Sequence, residues 1–272
     1  MDAVVSVPGA GPEDPILPSP FRWDGPHVGI TLGAGQVLFT TRRGGTSRPP
    51  WDSLNLGSQV GDDSSDVEAN RERVAAYAGI KWQHVRHGRQ VHGAAVQGHH
   101  GPKAARAQSA SSVAGIYADG QIDADGQVVA GAGPAALVLV ADCLPVVVVS
   151  RDAVAALHAG WRGLAAGILD EGVRALRESD GDTPLQAALG PCARSCCYEV
   201  GEEVHKHFDG YGARRGTRHL DLAYIARQQL KGHGVEVIAD CDLCTMCHPA
   251  LFFSHRRDAG RTGRQGALAW LA

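Results

Sequence analysis

The sequence reads as an α/β chain, and three observations carry that expectation. Short apolar runs at 137–140, 146–149 and 153–157, each bounded by polar residues, read as strands buried on both faces. Directly after them, small and apolar residues at 165, 168, 169, 172, 173 and 176 mark one face of a helix over 164–177. The alternation returns downstream with a strand at 185–189, a helix from the capping residue Asp221 to Lys231, and a strand at 235–238. No internal repeat or break in composition calls for a second domain.

The remaining elements follow in chain order. Pro8, Pro12, Pro15, Pro18 and Pro20 sit in a stretch without apolar periodicity, so residues 1–36 are read as a disordered or loosely packed tail preceding a domain at 37–272. A short strand at 37–40 feeds the glycine loop 41–47 with Arg42 and Arg43, and a turn follows at 51–57. Ser65 and Glu68 form a capping box that opens a helix closed by Gly79. Polar residues concentrate at His84, Arg86, His87, Arg89, Gln90 and His92, flanked by the weak strand signals Val91 and Val96. Residues 98–121, rich in Ala, Ser and Gly, read as an exposed insertion. Asp123-Ala124-Asp125-Gly126 turns the chain into the central strands, a short helix is expected at 202–208, and a final strand runs to Leu271.

At 272 residues and 44% hydrophobic content, the chain can bury a sizeable core. A net charge of −3 gives no electrostatic reason to bind nucleic acid or an anionic membrane. No apolar run approaches a bilayer span, and Asp2 interrupts any secretory pattern, so a cytoplasmic location is expected. There the seven cysteines should be thiols or metal ligands.

His92, Cys143 and His158 all fall at the ends of strand-like runs. Each has an ordinary reading: a solvated loop histidine, a small buried thiol, and a hydrogen-bonded core histidine. Together, two imidazoles and a thiolate make a three-ligand set that leaves tetrahedral zinc one open position, where bound water turns acidic near neutrality. The start of the helix after His158 directs free N–H groups toward the same place, as an anion site would.

The segments TTRRGGTSRPPWDSLNLG, RQVHG, ADCLPV, HAGWRG, LGPCARSCCYEVG and FFSHRRDAGRTGR, in this order, resemble the laccase-domain family. Its members have been called multicopper polyphenol oxidases and are described as zinc-dependent purine nucleoside phosphorylases. The resemblance runs from about Phe39 to the C-terminus. It implies a single α/β domain with a mixed central sheet flanked by helices, and a zinc ion on His92, Cys143 and His158. It implies phosphorolysis of adenosine, inosine, guanosine and methylthioadenosine, with adenosine deamination as a second activity. Arg42, Arg162, Arg256 and Arg257 are the motif arginines that would cradle phosphate, with Asn55 and Gln90 as neutral donors. Trp161 would stack on the purine or pack in the core. Asp142 would orient the neighbouring ligand or donate a proton, and no general acid for the leaving base is assigned.

Three rivals remain. A copper-binding, laccase-like oxidase would put Cu2+ in the same site, but the only His-x-His is His205-Lys206-His207. A metal-free hydrolase would use Cys143 activated by His158. A non-enzymatic protein would hold only structural zinc; Cys241, Cys244 and Cys247, with Cys196 or Cys197, are its candidate second site. Only Cys244 falls on a family motif, and Cys192, Cys196 and Cys197 are read as a packed turn of thiols.

Overall fold

The computed structural model describes residues 11, 13–99, 122–216 and 218–272. Residues 100–121 of the expected insertion therefore lie outside the described residues, as do 1–10 and 12 of the expected tail. The strands are β1 (Arg22–Asp24), β2 (His27–Leu32), β3 (Gly35–Phe39), β4 (Val85–Arg86), β5 (Val96–His99), β6 (Gly126–Ala130) and β7 (Ala135–Val140). They continue with β8 (Leu144–Val149), β9 (Ala153–Ala159), β10 (Gln186–Leu189), β11 (Arg214–Arg215), β12 (His219–Leu220), β13 (Val237–Asp240) and β14 (Gln265–Leu271). The α-helices are α1 (Ser64–Tyr77), α2 (Trp161–Ala166), α3 (Ile168–Asp180), α4 (Glu202–His205) and α5 (Leu222–Gly232).

The class is mixed α/β with helices against mixed sheets, but there are two sheets where one was expected. The first has the order β1-β2-β3-β14-β7-β4 and the second β13-β10-β8-β9-β6-β5, each six-stranded. They pack face to face, and strand periodicity explains how. In β8, Val147 and Val149 point into the core between the sheets, whereas Leu144, Val146 and Val148 point to the core under the helices. β9 divides in the same way, with Val154 and Ala156 on one side and Ala155 and Leu157 on the other. Both faces are covered, so the apolar runs are continuous although β8 pairs antiparallel with both β9 and β10.

α3 covers the second sheet with Ile168, Leu169, Val173 and Leu176, and α5 adds Leu222, Ile225, Ala226 and Leu230. α1 covers the first sheet through Val74 and Ala75. The result is a stack of helix, sheet, sheet and helices. No helix among the described residues is long and apolar enough to cross a membrane.

Three local readings change. The tail does not extend to residue 36: β1 pairs with β2 and β2 with β3, and Val28, Ile30 and Leu32 are buried between the sheets. The helix expected over 164–177 starts earlier, at Trp161, and is broken at Gly167, whose φ of +88° is left-handed. Helix α1 is capped by Asp63, whose carboxylate accepts the Ser65 N–H, so the expected Ser65 box lies within the first turn. Asp221 caps α5 as expected, accepting the Tyr224 N–H at 3.0 Å.

Candidate metal centre

The chain passes from the first sheet to the second twice at the same place. His92 lies on the crossing from β4 to β5, and Cys143 on the crossing from β7 to β8. His158 lies near the end of β9, which pairs with β8 so that Pro145 faces His158. Three segments far apart in sequence thus deliver one imidazole, one thiol and a second imidazole, whose donor atoms lie within 4.8 Å of one another. The two rings meet edge to face, with centroids 4.8 Å apart.

Asp125, on the approach to β6, holds this arrangement. Its backbone C=O accepts the His158 N–H at 2.7 Å, and its side chain is fully buried. One carboxylate oxygen accepts the His92 N–H at 2.9 Å and pairs with His158 Nδ1 at 2.8 Å. The other accepts the N–H groups of Val91 at 3.1 Å and Gly93 at 2.7 Å. Burial opposes ionisation of Asp125, but the His158 and backbone hydrogen bonds outweigh it and hold the pKa below the ordinary carboxylate value. An ionised carboxylate only accepts, so Nδ1 of His158 carries the proton and Nε2 is left to bind a metal. The same three amides hold His92 at a φ of +62°, a conformation few non-glycine residues adopt.

Burial raises the cost of ionising Cys143, yet the charge of His158 and hydrogen bonds from both histidines draw its pKa down to about 6. Burial acts against protonation of His158, but Cys143 and Asp125 outweigh it and carry the pKa to about 9. The metal-free pair is therefore a thiolate beside an imidazolium. Gly160 completes the fit: a Cβ there would stand 2.9 Å from Cys143 Sγ. A sulfur, two imidazoles with one tautomer fixed, and half-open surroundings suit a tetrahedral metal with one free position.

The triad opens into a cleft of about 270 Å³. Among the described residues that line it are Arg71, Arg89 and Arg264, together with His87 and His255, and no carboxylate. Burial lowers the pKa of Arg71 and Arg264, but a guanidinium keeps its charge at any relevant pH. Burial, followed by the charge of Arg71, brings His87 down to about 4, so it is neutral beside Trp82.

Of the other expected binding residues, Gln90 alone is among the described residues that line the cleft. Arg42 hydrogen-bonds Asp52 O and Pro249 O and lies over Phe253. Arg257 is tied to Asp258, Thr245 O and Phe252 O. Arg162 and Arg256 line a separate groove with Trp161; Arg162 covers the tryptophan ring, and Arg256 donates to Glu199 O. Asn55 is buried, and its Oδ1 accepts the Gly57 and Arg264 N–H groups, so it places Arg264. Gln90 does line the cleft, but its amide pairs with both the N–H and C=O of Leu139. Asp142 is a positioning residue: its oxygens accept Thr245 Oγ1 and the Arg256 N–H, each at 2.7 Å. Helix α2 has only six residues, too few to hold an anion by its dipole alone, so the cleft arginines are the stronger anion attraction.

Some cleft residues had a sequence signal that was not used. Arg264 and His255 lie inside a quoted motif, and His87 and Arg89 inside the polar concentration. Arg71, on α1, had none. Asp125 becomes visible only once β6 and β9 are paired, because that register sets it against His158.

The family model described as multi-copper polyphenol oxidoreductase laccase matches residues 36–272. The purine nucleoside phosphorylase YfiH of Escherichia coli K12 is 39% identical over 243 residues, covering 85% of this chain and 92% of that protein. A purine nucleoside phosphorylase of Xylella fastidiosa Temecula1 is 40% identical over 254 residues, covering 86% and 92%. The crystal structure of YlmD from Geobacillus stearothermophilus is similar, with a TM-score of 0.81, 32% identity, and coverage of 93% of this chain and 99% of that one.

Proposed function

The chain belongs to the multi-copper polyphenol oxidoreductase laccase family, and from that premise we propose that it cleaves purine nucleosides with phosphate, at a zinc ion held by His92, Cys143 and His158. The observation that carries this reading is the cleft itself, which the His-Cys-His group shares with Arg71 and Arg264 and with Arg89, ion-paired to Asp123, and which has no carboxylate among its described lining residues. The names of the relatives support the same reaction. When bound, zinc supplies a Lewis acid with one position open to a substrate atom.

The chain's own residues do the rest. Arg264, whose N–H is anchored on Asn55 and whose guanidinium donates to Thr262 O and Gly263 O, presents a fixed cation to a phosphate dianion. Arg71, braced on Leu56 O, does so from helix α1. These charges hold the nucleophile against a sugar that turns cationic as the glycosidic bond lengthens, so they stabilise the transition state more than the ground state. The cleft lies near the lower end of ligand pockets, which run roughly 300–1,000 Å³, and this suits one nucleoside and not a polymer. His87 is neutral and so offers a base edge both a donor and an acceptor.

Adenosine deamination is proposed as a second activity of the same centre. Copper is an alternative occupant, since imidazole and thiolate accept it readily. A four-copper oxidase finds no support. Only two groups of three or more metal-binding side chains occur among the described residues, and the second is all cysteine.

Zinc-loaded protein incubated with adenosine, with and without phosphate, tests the reading by chromatography. Phosphate-dependent adenine is the expected product. Inosine alone would replace phosphorolysis by deamination, and no product would leave a non-enzymatic protein. Rapid alkylation of Cys143 by iodoacetamide in protein never exposed to chelator would favour the cysteine-hydrolase alternative.

A further inference from the structure

A second set of donors gathers away from the cleft. Cys196 and Cys197, from the turn after β10, meet Cys244 and Cys247, from the turn after β13, with all four Sγ atoms within 4.8 Å of one another. We propose that these four thiolates bind a second, structural zinc ion that fastens the two turns together.

The distances fit a metal better than a disulfide. Cys247 Sγ lies 3.7 Å from Cys196 Sγ and 3.4 Å from Cys197 Sγ. A zinc tetrahedron with bonds of about 2.3 Å has edges of about 3.8 Å, whereas a disulfide closes to about 2.05 Å. A tetrahedral all-sulfur set selects zinc or iron over harder cations.

The backbone already sets the two turns side by side: Cys192 N–H donates to Leu243 O at 3.2 Å, and Thr245 N–H to Cys192 O at 2.9 Å. The ligand pairs are thus Cys-Cys and C-x-x-C, and not the Cys241-x-x-Cys244-x-x-Cys247 unit that the sequence suggests. Cys241 and Cys192 are buried outside the group.

The site has a structural consequence for the first centre. One turn presents Ala193 N–H to the Asp142 C=O, and the other presents Thr245 Oγ1 to the Asp142 carboxylate. Fastening the turns to each other therefore fixes the residue next to Cys143. Binding exchanges the proton of each thiol for a Zn–S bond, and no oxidant or reductant is needed.

The test uses the full-length protein purified under reductant. Zinc per chain, measured by mass spectrometry of the elements, is expected to be two. Cys247→Ser and Cys196→Ser should each lose one equivalent and keep the other, and Cys143→Ser should lose the other. Cobalt substitution supplies a second readout, since the intense sulfur-to-cobalt absorption of four thiolates should vanish in Cys247→Ser and persist in Cys143→Ser. On the unaltered chain, the exposed Cys196 and Cys247 should resist a thiol reagent until a chelator is added. That measurement decides the matter even if the variants fail to fold. Zinc content unchanged by Cys247→Ser and Cys196→Ser, immediate reaction of these thiols without chelator, or a mass lower by two hydrogens from a disulfide would each overturn the second site. Loss of zinc in Cys143→Ser alone would overturn it while leaving the first centre standing.

Discussion

Replacing Asp125 by Asn keeps the size and shape of the side chain and changes only which atoms accept hydrogen. One oxygen receives His92 N–H and His158 Nδ1–H, and the other receives Val91 and Gly93 N–H. Whichever way the Asn amide turns, its NH2 group faces two donors that lose their acceptor; only His158 Nδ1 is buried, and the Val91, His92 and Gly93 amides are partly buried. A buried orphan costs about 1–3 kcal/mol and a hydrated one less, so the variant should lose about 1–3 kcal/mol of stability before relaxation. Relaxation has an obvious route. His92 sits at a φ of +62°, and leaving the left-handed region regains about 1–2 kcal/mol. The His92 loop should therefore swing away, and His158 should lose the partner that fixes its tautomer. Loss of such a supporting carboxylate typically weakens metal affinity about 10–100-fold. Competition with a chromophoric chelator measures the affinity, and denaturant unfolding of the metal-free protein measures the stability. An Asp125→Asn protein that holds zinc within twofold of the parent and unfolds at the same denaturant concentration would refute the idea that Asp125 positions the donors.

Three further outcomes are expected. Arg264→Ala should raise the KM for phosphate about tenfold or more, the equivalent of about 1.4 kcal/mol, with a smaller change for nucleoside, in steady-state assays; an unchanged phosphate KM would remove Arg264 from the anion site. Gly160→Ala places a Cβ 2.9 Å from Cys143 Sγ, so metal affinity should fall in a chelator titration while the circular dichroism spectrum is retained; unaltered affinity would show that the thiol has room to move. His27 is buried, and that burial lowers its pKa from 6.5 to about 4, so the unfolded chain takes up the proton first as pH falls. Its contribution to stability is complete above pH 6.5 and should decline by about 3 kcal/mol as pH approaches 4; His27→Gln should flatten that acid limb in denaturant titrations, and an unchanged slope would assign it to other groups.

How much of this was legible in the chain depends on whether the information was local. β7, β8, β9 and β14 announce themselves because strands covered on both faces must be apolar at every position. α5 is bounded by its own cap. β1 and β2 were hidden by Pro20, Gly25, Pro26 and Gly29, which break up an apolar pattern that makes sense only when β3 pairs with it. The split into two sheets could not be read either, since it follows from crossings at His92 and Cys143 and not from any strand's composition. The metal triad was accessible through its motifs. Which motif arginine faces the cleft was not legible, because a guanidinium in a motif and a guanidinium in a loop lock look alike in sequence. Arg257 locks its own loop through Asp258 and two hydrogen bonds to backbone carbonyls, whereas Arg264, seven positions later, faces the cleft.

The donors belong to one sheet. Cys143 directly precedes β8, His158 lies in its neighbour β9, and Asp125, directly before β6, ties down the His92 loop, so the second sheet by itself brings the three within reach. The first sheet supplies cleft wall, at Leu139 and beside Arg264, and not ligands. Loosening the inter-sheet packing at Val147 or Val154 should therefore open the cleft while the metal stays bound.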